Sequence, residues 1–291
     1  MHGLMPVRVK RSCMWLGNRT VQHTLDILDL ATRRKICEDT ILRSANVAAS
    51  TPGGSLSSTF ISGQLPPLSK EHIAFPDFSL RPIQIHDSDA FALARTLACT
   101  GKVGVTQEEA LCYSSTLFAT LNPDWYPWPN TGLGSCAGIF SPDVVVFRDT
   151  LDNDLAELPV TRRHVLAVIT VAAPCLPNLT SDGQEFADAL QLQDLVEKIL
   201  LVLRMAALNG VTSLVLGAMG CGAYGYPPKA VAETMKRLLT TEEFDGWFEN
   251  VLFAVHAAGP TGKPNLRRIP TFFWGCATLR YVISFASLSL T

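Results

Sequence analysis

The pattern of apolar and polar positions divides the chain into a loose start, a long loop and a region of alternating strands and helices. Residues 1–24 show no period, whereas Leu25 to Asn46 carries apolar residues at helical spacing with charges between them. We predict a helix over Leu25 to Asn46. Ala48 to Pro82 is rich in Ser, Pro and Gly, which predicts a loop that is either mobile or wraps the domain.

From residue 81 onward, short apolar runs alternate with amphipathic stretches. Strands are predicted at 82–86, 102–105, 144–147, 165–173, 212–216 and 251–256, with a turn at 141–143 before the third. Helices are predicted at 87–98, 107–121, 185–209 and 227–240. Continuous apolar strands that alternate with helices need cover on both faces. The predicted fold class is therefore α/β, a three-layer α/β/α sandwich with an N-terminal helical extension.

The same pattern suggests a division into four parts. We predict a loose leader at 1–24, an N-terminal helix and linker at 25–80, the main domain at 81–265 and an atypical apolar tail at 266–291. A membrane span needs about 20 uninterrupted apolar residues, and Arg280 interrupts the tail. An edge strand or a poorly packed end is the preferred interpretation.

Composition and charge exclude several classes of protein. Hydrophobic residues make up 47% and charged residues 17%, so the chain is not of the intrinsically disordered type. The net charge of -2 lacks the basic surplus of a broad nucleic-acid interface, so no sequence-specific nucleic-acid partner is expected. The eight cysteines contain no Cys-x-x-Cys pair, which argues against zinc. The N-terminal sequence does not resemble a secretory signal. We therefore expect reduced thiols and a cytoplasmic or nuclear location.

A glycine-rich turn at 217–225 follows the apolar run TSLVL and precedes a helix. Its backbone N–H groups and the helix dipole favour binding of an anion, and a diphosphate is the ligand that we expect. Glycines also let the backbone approach the phosphates closely. The alternative is a tight strand-to-helix turn without a ligand. Cys221 within the turn has no base beside it in sequence, which argues against a nucleophile.

The helix predicted at 107–121 begins with Gln107, followed by two consecutive carboxylates, Glu108 and Glu109. The simpler interpretation is compensation of the helix dipole. The functional interpretation needs one carboxyl group in a cleft at the sheet edge, partly desolvated. Its pKa would then rise, and it could pass a proton to a leaving oxygen during glycoside cleavage.

Four segments, taken together, match one known family. They are QEEALCYSSTLFATL, GIFSPDVVVFRD, VLAVITVAAPCLPN and LVLGAMGCGAYGYPP. In this order and spacing, from about Arg33 to Asn265, they resemble the microbial-type poly(ADP-ribose) glycohydrolases, catalytic macrodomain proteins of bacteria and fungi. The resemblance implies a macrodomain-like sandwich. It also implies a glycosidase that hydrolyses the ribose–ribose O-glycosidic bonds of poly(ADP-ribose) and releases ADP-ribose.

The resemblance also implies roles for individual residues. Glu109 corresponds to the general acid/base and Glu108 to a partner that positions the ribose, with Gln107 among the substrate-binding residues. The implied diphosphate loop comprises Gly220, Cys221, Gly222, Ala223, Tyr224 and Gly225. Tyr224 takes the place of an aromatic residue that packs over the distal ribose. No metal and no cofactor is implied. The implied partner is ADP-ribose, or poly(ADP-ribose) on modified proteins, bound by a monomer without a membrane partner.

One departure from the family pattern bears on activity. The family carries an Asn-x-x-x-x-x-Pro-Gly-Gly-Gly segment before its QEE motif, and those glycines cradle the terminal ribose. Here Val105 is followed directly by Thr106, Gln107 and Glu108. The connection is shorter than the usual strand-to-helix loop of about two to six residues. We therefore expect impaired hydrolysis, and the alternative is a non-catalytic module that binds ADP-ribose.

Two further groups of residues are assigned no catalytic role. His164 and His256 flank or end predicted strands and are expected to be structural. Trp125, Tyr126 and Trp128 lie in an aromatic, proline-rich loop. This loop either covers an adenine or caps the core, and the sequence favours neither.

Overall fold

A computed structural model describes residues 29–79, 83–86, 88–97, 102–105, 109–129, 131–150, 153–173, 176–221, 224–255 and 282–284. Its helices are α1 (Leu30–Ser50), α2 (Ala90–Leu97), α3 (Glu109–Ser114), α4 (Leu117–Thr120), α5 (Ala189–Leu208) and α6 (Pro228–Leu239). Its strands are β1 (Thr59–Ile61), β2 (Gln84–His86), β3 (Val103–Val105), β4 (Gly138–Val146), β5 (His164–Val171), β6 (Ser213–Gly217), β7 (Asn250–Ala254) and β8 (Val282–Ser284). Short 3-10 turns lie at Pro123–Trp125, Val160–Arg162 and Glu242–Phe244.

All of these strands join one eight-stranded sheet in the order β1-β4-β5-β3-β6-β7-β2-β8. Six neighbouring strands run parallel to one another, namely β5, β3, β6, β7, β2 and β8. Strand β4 is antiparallel to both β5 and β1. The parallel part requires crossover connections, and the helices that follow β2, β5 and β6 supply them.

Helices cover the sheet on both faces, as the continuous apolar strands predicted. Along β6, Leu214 and Leu216 join the core under α5 and α6, while Val215 joins the core under α2, α3 and α4. Successive strand residues point to opposite faces, so both faces of β6 are apolar. Each fully buried side chain of this size stabilises the fold by about 1.5–3 kcal/mol. The predicted three-layer α/β/α sandwich is confirmed.

The N-terminal helix packs outside α3 and α4 and forms the predicted extension. The carboxylate of Asp29 caps it by accepting hydrogen bonds from the backbone of Ala31 and Thr32 at 2.8 and 3.0 Å. The helix therefore begins at Leu30, later than Leu25, and it continues to Ser50, beyond the predicted end at Asn46.

Polar contacts tie this extension to the domain. The guanidinium of Arg43 donates two hydrogen bonds to the carboxylate of Glu157, at 2.6 and 2.8 Å. The buried guanidinium of Arg148 bonds to Asp39 and to the hydroxyl of Thr40. These hydrogen bonds join α1 to the segment that follows β4, so they fix α1 against the domain.

Two local predictions were wrong. The turn predicted at 141–143 lies inside β4, because Ser141 still pairs with Val168 and the register resumes at Val144 after a bulge. The helix predicted at 107–121 is broken at Ser115 and Thr116. The backbone and hydroxyl of Thr116 hydrogen-bond Val145 of β4 instead of continuing the helix.

The Ser-, Pro- and Gly-rich segment wraps the face that carries α5 and α6. Residues 59–61 add β1 to the sheet edge, a strand that the sequence did not predict. Further along, the backbone of Leu65 accepts a hydrogen bond from Arg204 at 2.9 Å. Phe75 packs edge-on against Trp247 with ring centroids 5.4 Å apart, and Phe78 N–H donates to the carbonyl of Gly246.

The division into four parts stays a prediction. Residues 1–28 and most of the tail lie outside the described residues. Val282–Ser284 pairs in parallel with β2 and forms an edge strand. Among the helices that the structure describes, none combines the length and the apolar character that a membrane crossing requires.

Candidate functional site

The glycine-rich turn and the start of α3 lie at the same edge of the sheet. Strands β3 and β6 are parallel neighbours in which Val105 pairs with Val215. Three residues separate Val105 from Glu109, the first residue of α3, and two residues lead from Val215 to Gly217 at the end of β6. Because parallel strands end at the same edge, the two connections begin side by side.

The connections after these two strands then diverge. After β3 the chain enters α3 and α4 on one face and returns through β4. After β6 it enters α6 on the opposite face and returns through β7, on the other side in the sheet order. Such a switch point leaves a crevice outside the carboxyl ends of the strands, where open α/β sheets bind ligands.

Helix α3 is held firmly although it is short. Leu111 of this helix is fully buried, and the carbonyl of Tyr113 accepts a hydrogen bond from the hydroxyl of Thr40 of α1 at 3.0 Å. The extension therefore fixes the helix that begins at Glu109. Gln107 and Glu108 lie outside the described residues. The roles assigned to Gln107, Glu108 and Glu109 stay predictions.

The glycine-rich turn is built around one buried ring. Gly220 has a φ of +72°, a left-handed conformation that glycine adopts at little cost. Its carbonyl accepts a hydrogen bond from Tyr226 N–H at 3.0 Å, and the Tyr226 ring lies against its Cα. Phe186 also packs against this ring in an edge-on arrangement, with ring centroids 5.2 Å apart. Packing therefore holds Gly220 and Tyr226, which lie in and just after the described part of the turn.

The turn leads directly into the N-terminus of α6. This helix begins at Pro228, and Pro227 before it provides no side-chain cap. The positive end of the helix dipole therefore lies next to the turn, an arrangement that favours an anion. Gly220, Cys221, Tyr224 and Gly225 lie within the described part of this turn. The remaining predicted turn residues, Gly222 and Ala223, lie outside it.

A second loop contacts the turn, and the sequence did not predict its role. Leu176, which follows β5, donates its N–H to the carbonyl of Tyr224 at 3.0 Å. Leu176 has a φ of +52°, and its side chain is 60% exposed. Tyr224 is 38% exposed beside it. A left-handed leucine carries no sequence signal, because this conformation is set by the contact with the turn.

Solved structures of bacterial enzymes match this arrangement over most of the chain. Poly(ADP-ribose) glycohydrolase from Thermomonospora curvata is 24% identical, with a TM-score of 0.63 over 84% of this chain and 100% of that one. Its complex with the inhibitor ADP-HPD is 25% identical, with a TM-score of 0.63 over 83% and 99%. The enzyme from Deinococcus radiodurans in complex with ADP-ribose is 27% identical, with a TM-score of 0.59 over 78% and 96%.

This chain has the fold of the bacterial poly(ADP-ribose) glycohydrolases. The resemblance predicted from four sequence segments is thereby confirmed. No family model matches the chain, and no curated protein matches it.

Cys221 lies in the turn of this glycohydrolase fold, but its thiol is poorly suited to nucleophilic chemistry. The residue is only 6% exposed, and burial raises the pKa of the thiol to about 12. A thiol with this pKa remains protonated at neutral pH, and only the thiolate is a good nucleophile.

The aromatic loop packs against the edge strand. Phe60 of β1 stacks on Trp125 with ring centroids 5.7 Å apart and lies 5.4 Å from the ring of Trp128. Tyr126 and Trp128 are 4.7 Å apart. These contacts favour the interpretation in which the loop caps the core, since the rings already contact one another.

The remaining candidates have simple placements. His164 begins β5, and burial lowers its pKa, with further contributions from nearby Arg95 and Arg162. His256 lies outside the described residues. Across the described ranges, no group of three or more His, Cys, Asp or Glu side chains could hold a metal ion.

Proposed function

We propose that this chain hydrolyses the ribose–ribose O-glycosidic bonds of poly(ADP-ribose) and releases ADP-ribose. The observation that carries the proposal is the convergence of α3 and the glycine-rich turn at one switch point of the sheet. The names of the matched structures support it, since they are poly(ADP-ribose) glycohydrolases, one of them in complex with ADP-ribose.

In this proposal the turn holds the substrate. Backbone N–H groups of the turn at 220–225 and the N-terminus of α6 bind the diphosphate. Tyr224, half-exposed at the rim, packs over the distal ribose. Gln107 and Glu108 position the ribose whose bond is cleaved. The binding energy of the diphosphate thus orients the scissile bond next to Glu109.

Glu109 acts first as an acid and then as a base. Its carboxyl group protonates the leaving oxygen while the bond between that oxygen and the anomeric carbon breaks. Positive charge develops on the ribose ring as in other glycoside cleavages. The resulting carboxylate then takes a proton from the water whose oxygen bonds to the anomeric carbon. Both protons are accounted for, and the enzyme returns to its starting state.

Hydrolysis and binding can be tested together. The purified chain is incubated with poly(ADP-ribose), free ADP-ribose is measured by chromatography, and ADP-ribose affinity is measured by calorimetry. Glu109→Gln should slow release by about 10²–10⁴-fold with little change in affinity. The matched control is Glu71→Gln, the same change at an exposed position of the wrapping segment, which should retain wild-type release. Equal release by both variants would contradict the assignment of Glu109.

A second candidate function is a module that binds ADP-ribose without turnover. The connection between Val105 and Glu109 favours it, because its three residues, Thr106, Gln107 and Glu108, include none of the family's ribose-cradling glycines. This candidate predicts calorimetric binding of ADP-ribose by the unmodified chain with no release from the polymer. Absence of both binding and release would reject both candidates.

We also propose the setting of this activity. The substrate is ADP-ribose or its polymer on modified proteins, the protein acts as a monomer, and the location is cytoplasmic or nuclear. The lack of Cys-x-x-Cys pairs and the slightly negative net charge support a partner that is neither zinc nor DNA.

A further inference from the structure

An open cleft of about 530 Å³ lies at the edge of the sheet opposite the candidate active site. His164 lines it and is the first residue of β5, whereas the candidate active site lies beyond the last residues of the parallel strands. Arg162 precedes this strand, Asp149 follows β4, and Arg95 comes from α2. Three separate segments therefore bring charged side chains to one place.

Among the described side chains that line this cleft, the charges leave a positive excess. Arg95 and Asp149 form an ion pair at 3.0 Å, and both side chains are less than one-fifth exposed. Burial alone would raise the pKa of Asp149. Hydrogen bonds from Thr150 and Asn153 and the charge of Arg95 outweigh it, so the pKa is lowered and the carboxyl group is ionised.

Arg162 supplies the unmatched charge. It is exposed at the mouth of the cleft and forms no ion pair with any described residue. The pair of Arg95 and Asp149 is neutral as a unit, so Arg162 determines the net charge of the described lining residues. Arg95 directs only one of its guanidinium nitrogens to Asp149 in the described structure, which leaves others for a ligand.

We propose that this cleft binds a phosphoryl group. Two guanidinium groups match the charge and the geometry of phosphate oxygens, which accept charge-assisted hydrogen bonds from arginine in preference to most other donors. The hydroxyl group of Thr150 and the amide of Asn153 also line the cleft and supply neutral donors, whereas the hydroxyl of Thr96 already donates to the carbonyl of Leu93 at 2.7 Å. A carboxylate ligand has two oxygens and would leave several of these donors unused, whereas inorganic phosphate has four oxygens and an internal diphosphate has four non-bridging oxygens.

His164 should report this binding through its protonation. In the free protein its pKa is lowered by burial and by the charges of Arg95 and Arg162. Asp149 also faces the cleft, but its charge is compensated by Arg95. A bound dianion places negative charge beside the imidazole, opposes the effect of Arg162 and favours the imidazolium form. The pKa of His164 therefore rises when phosphate binds, and binding takes up protons.

The phosphoryl group can come from two sources, free phosphate and the diphosphates that recur along poly(ADP-ribose). The second source rests on the proposed function. The cleft does not, because its residues differ from those assigned to hydrolysis. A failure of the cleft to bind would thus leave the test of Glu109 untouched.

The first experiment uses inorganic phosphate as the probe. The pKa of His164 is measured by NMR with and without saturating phosphate, and the signal is assigned by its loss in His164→Gln. Affinity is measured by calorimetry for the wild type and Arg162→Gln. The matched control is Arg237→Gln, the same change at an exposed position of α6.

Phosphate should raise the pKa of His164 in the wild type and in Arg237→Gln. In Arg162→Gln the affinity should fall by about tenfold or more, because a charge-assisted contact is lost. Phosphate can also enter the glycine-rich turn, so the difference between the two arginine variants isolates the cleft. An unchanged pKa of His164, or equal affinities in both variants, would overturn the proposal.

A second experiment distinguishes the two sources. A short ADP-ribose oligomer is added to Glu109→Gln, which should not degrade it. The concentrations of the two ligands are compared per phosphorus atom. If the oligomer raises the pKa of His164 at a lower concentration than inorganic phosphate does, the polymer is the source. If only inorganic phosphate raises it, the cleft serves free phosphate. If neither raises it, the cleft is not a phosphoryl site.

Discussion

The ring of Tyr226 lies so close to Gly220 that a Cβ at position 220 would come within 2.6 Å of the Tyr226 Cγ. The ring cannot easily withdraw, because Tyr226 is only 3% exposed and Phe186 packs against it edge-on. Two independent constraints therefore act at Gly220, the left-handed backbone and the adjacent ring. This relationship links the core beneath α6 to the shape of the proposed diphosphate turn.

Gly220→Ala should destabilise the protein more than the same substitution at a glycine that has a left-handed backbone but no neighbouring side chain. The matched control is Gly210→Ala, where φ is +69° and no atom lies within 4 Å of a new Cβ. We expect Gly210→Ala to cost about 1 kcal/mol of unfolding free energy from the backbone. Gly220→Ala should cost about 1–3 kcal/mol more from overpacking. Denaturant unfolding measures both, and equal losses would mean that Tyr226 moves aside.

The wrapping segment is held to the domain by a largely buried ion pair. Arg204 of α5 donates to the carboxylate of Glu243 at 2.6 and 3.1 Å, and the two side chains are 7% and 20% exposed. The same carboxylate accepts the N–H of Leu68, and Arg204 also donates to the carbonyl of Leu65. Arg204 and Glu243 thus bind the segment at two nearby residues, Leu65 and Leu68.

This arrangement predicts a pH-dependent contribution to stability. Burial tends to raise the pKa of Glu243, but the hydrogen bonds from Arg204 and Leu68 lower it overall. A carboxyl group whose pKa is lower in the folded state stabilises the protein above its unfolded value of about 4.5. That contribution is lost as the pH falls through the folded pKa.

Glu243→Gln should therefore lose about 1.5–3 kcal/mol of unfolding free energy at pH 7. The difference from the wild type should shrink as the pH falls below about 4.5, because the wild-type carboxyl group becomes neutral as well. Urea unfolding at several pH values measures this. The control Glu242→Gln, next to it and exposed, should stay within about 0.5 kcal/mol of the wild type. A pH-independent difference would show that charge at Glu243 contributes nothing.

The parts of the fold that the sequence predicted best are those with a strong local cause. β6 was predicted within one residue, because burial on both faces leaves a continuous apolar run from Leu214 to Leu216. β1 was missed, because three residues become a strand only by pairing with β4. The break at Thr116 was missed for a related reason, since its hydrogen-bond partner Val145 is distant in sequence.

The candidate site follows the same rule. The glycine-rich turn was recognisable from its residues, and its proximity to the start of α3 follows from parallel pairing of the strands before them. The contact between Leu176 and Tyr224 was not recognisable, because a residue before a proline is normally extended. When the conformation of two loops depends on contacts between them, neither loop shows a recognisable sequence pattern.

Two leucines with left-handed backbones allow this last contact to be tested. Leu176 has a φ of +52° and is 60% exposed, whereas Leu155 has a φ of +51° and is 3% exposed. Glycine relieves about 1–2 kcal/mol of backbone strain at either position but loses the side chain and adds unfolded-state entropy of about 0.5–1 kcal/mol. Leu176→Gly should therefore remain within about 1 kcal/mol of the wild type, with its N–H bond to Tyr224 retained.

Leu155→Gly should instead lose about 2–4 kcal/mol, because it removes a buried side chain. Thermal and denaturant unfolding of both variants provide the comparison. A large loss in Leu176→Gly would mean that the Leu176 side chain packs tightly on the turn in solution, since its Cδ2 is 3.6 Å from the Cβ position of Gly225. The strained leucine would then belong to the support of the diphosphate turn, and ADP-ribose affinity should fall together with stability.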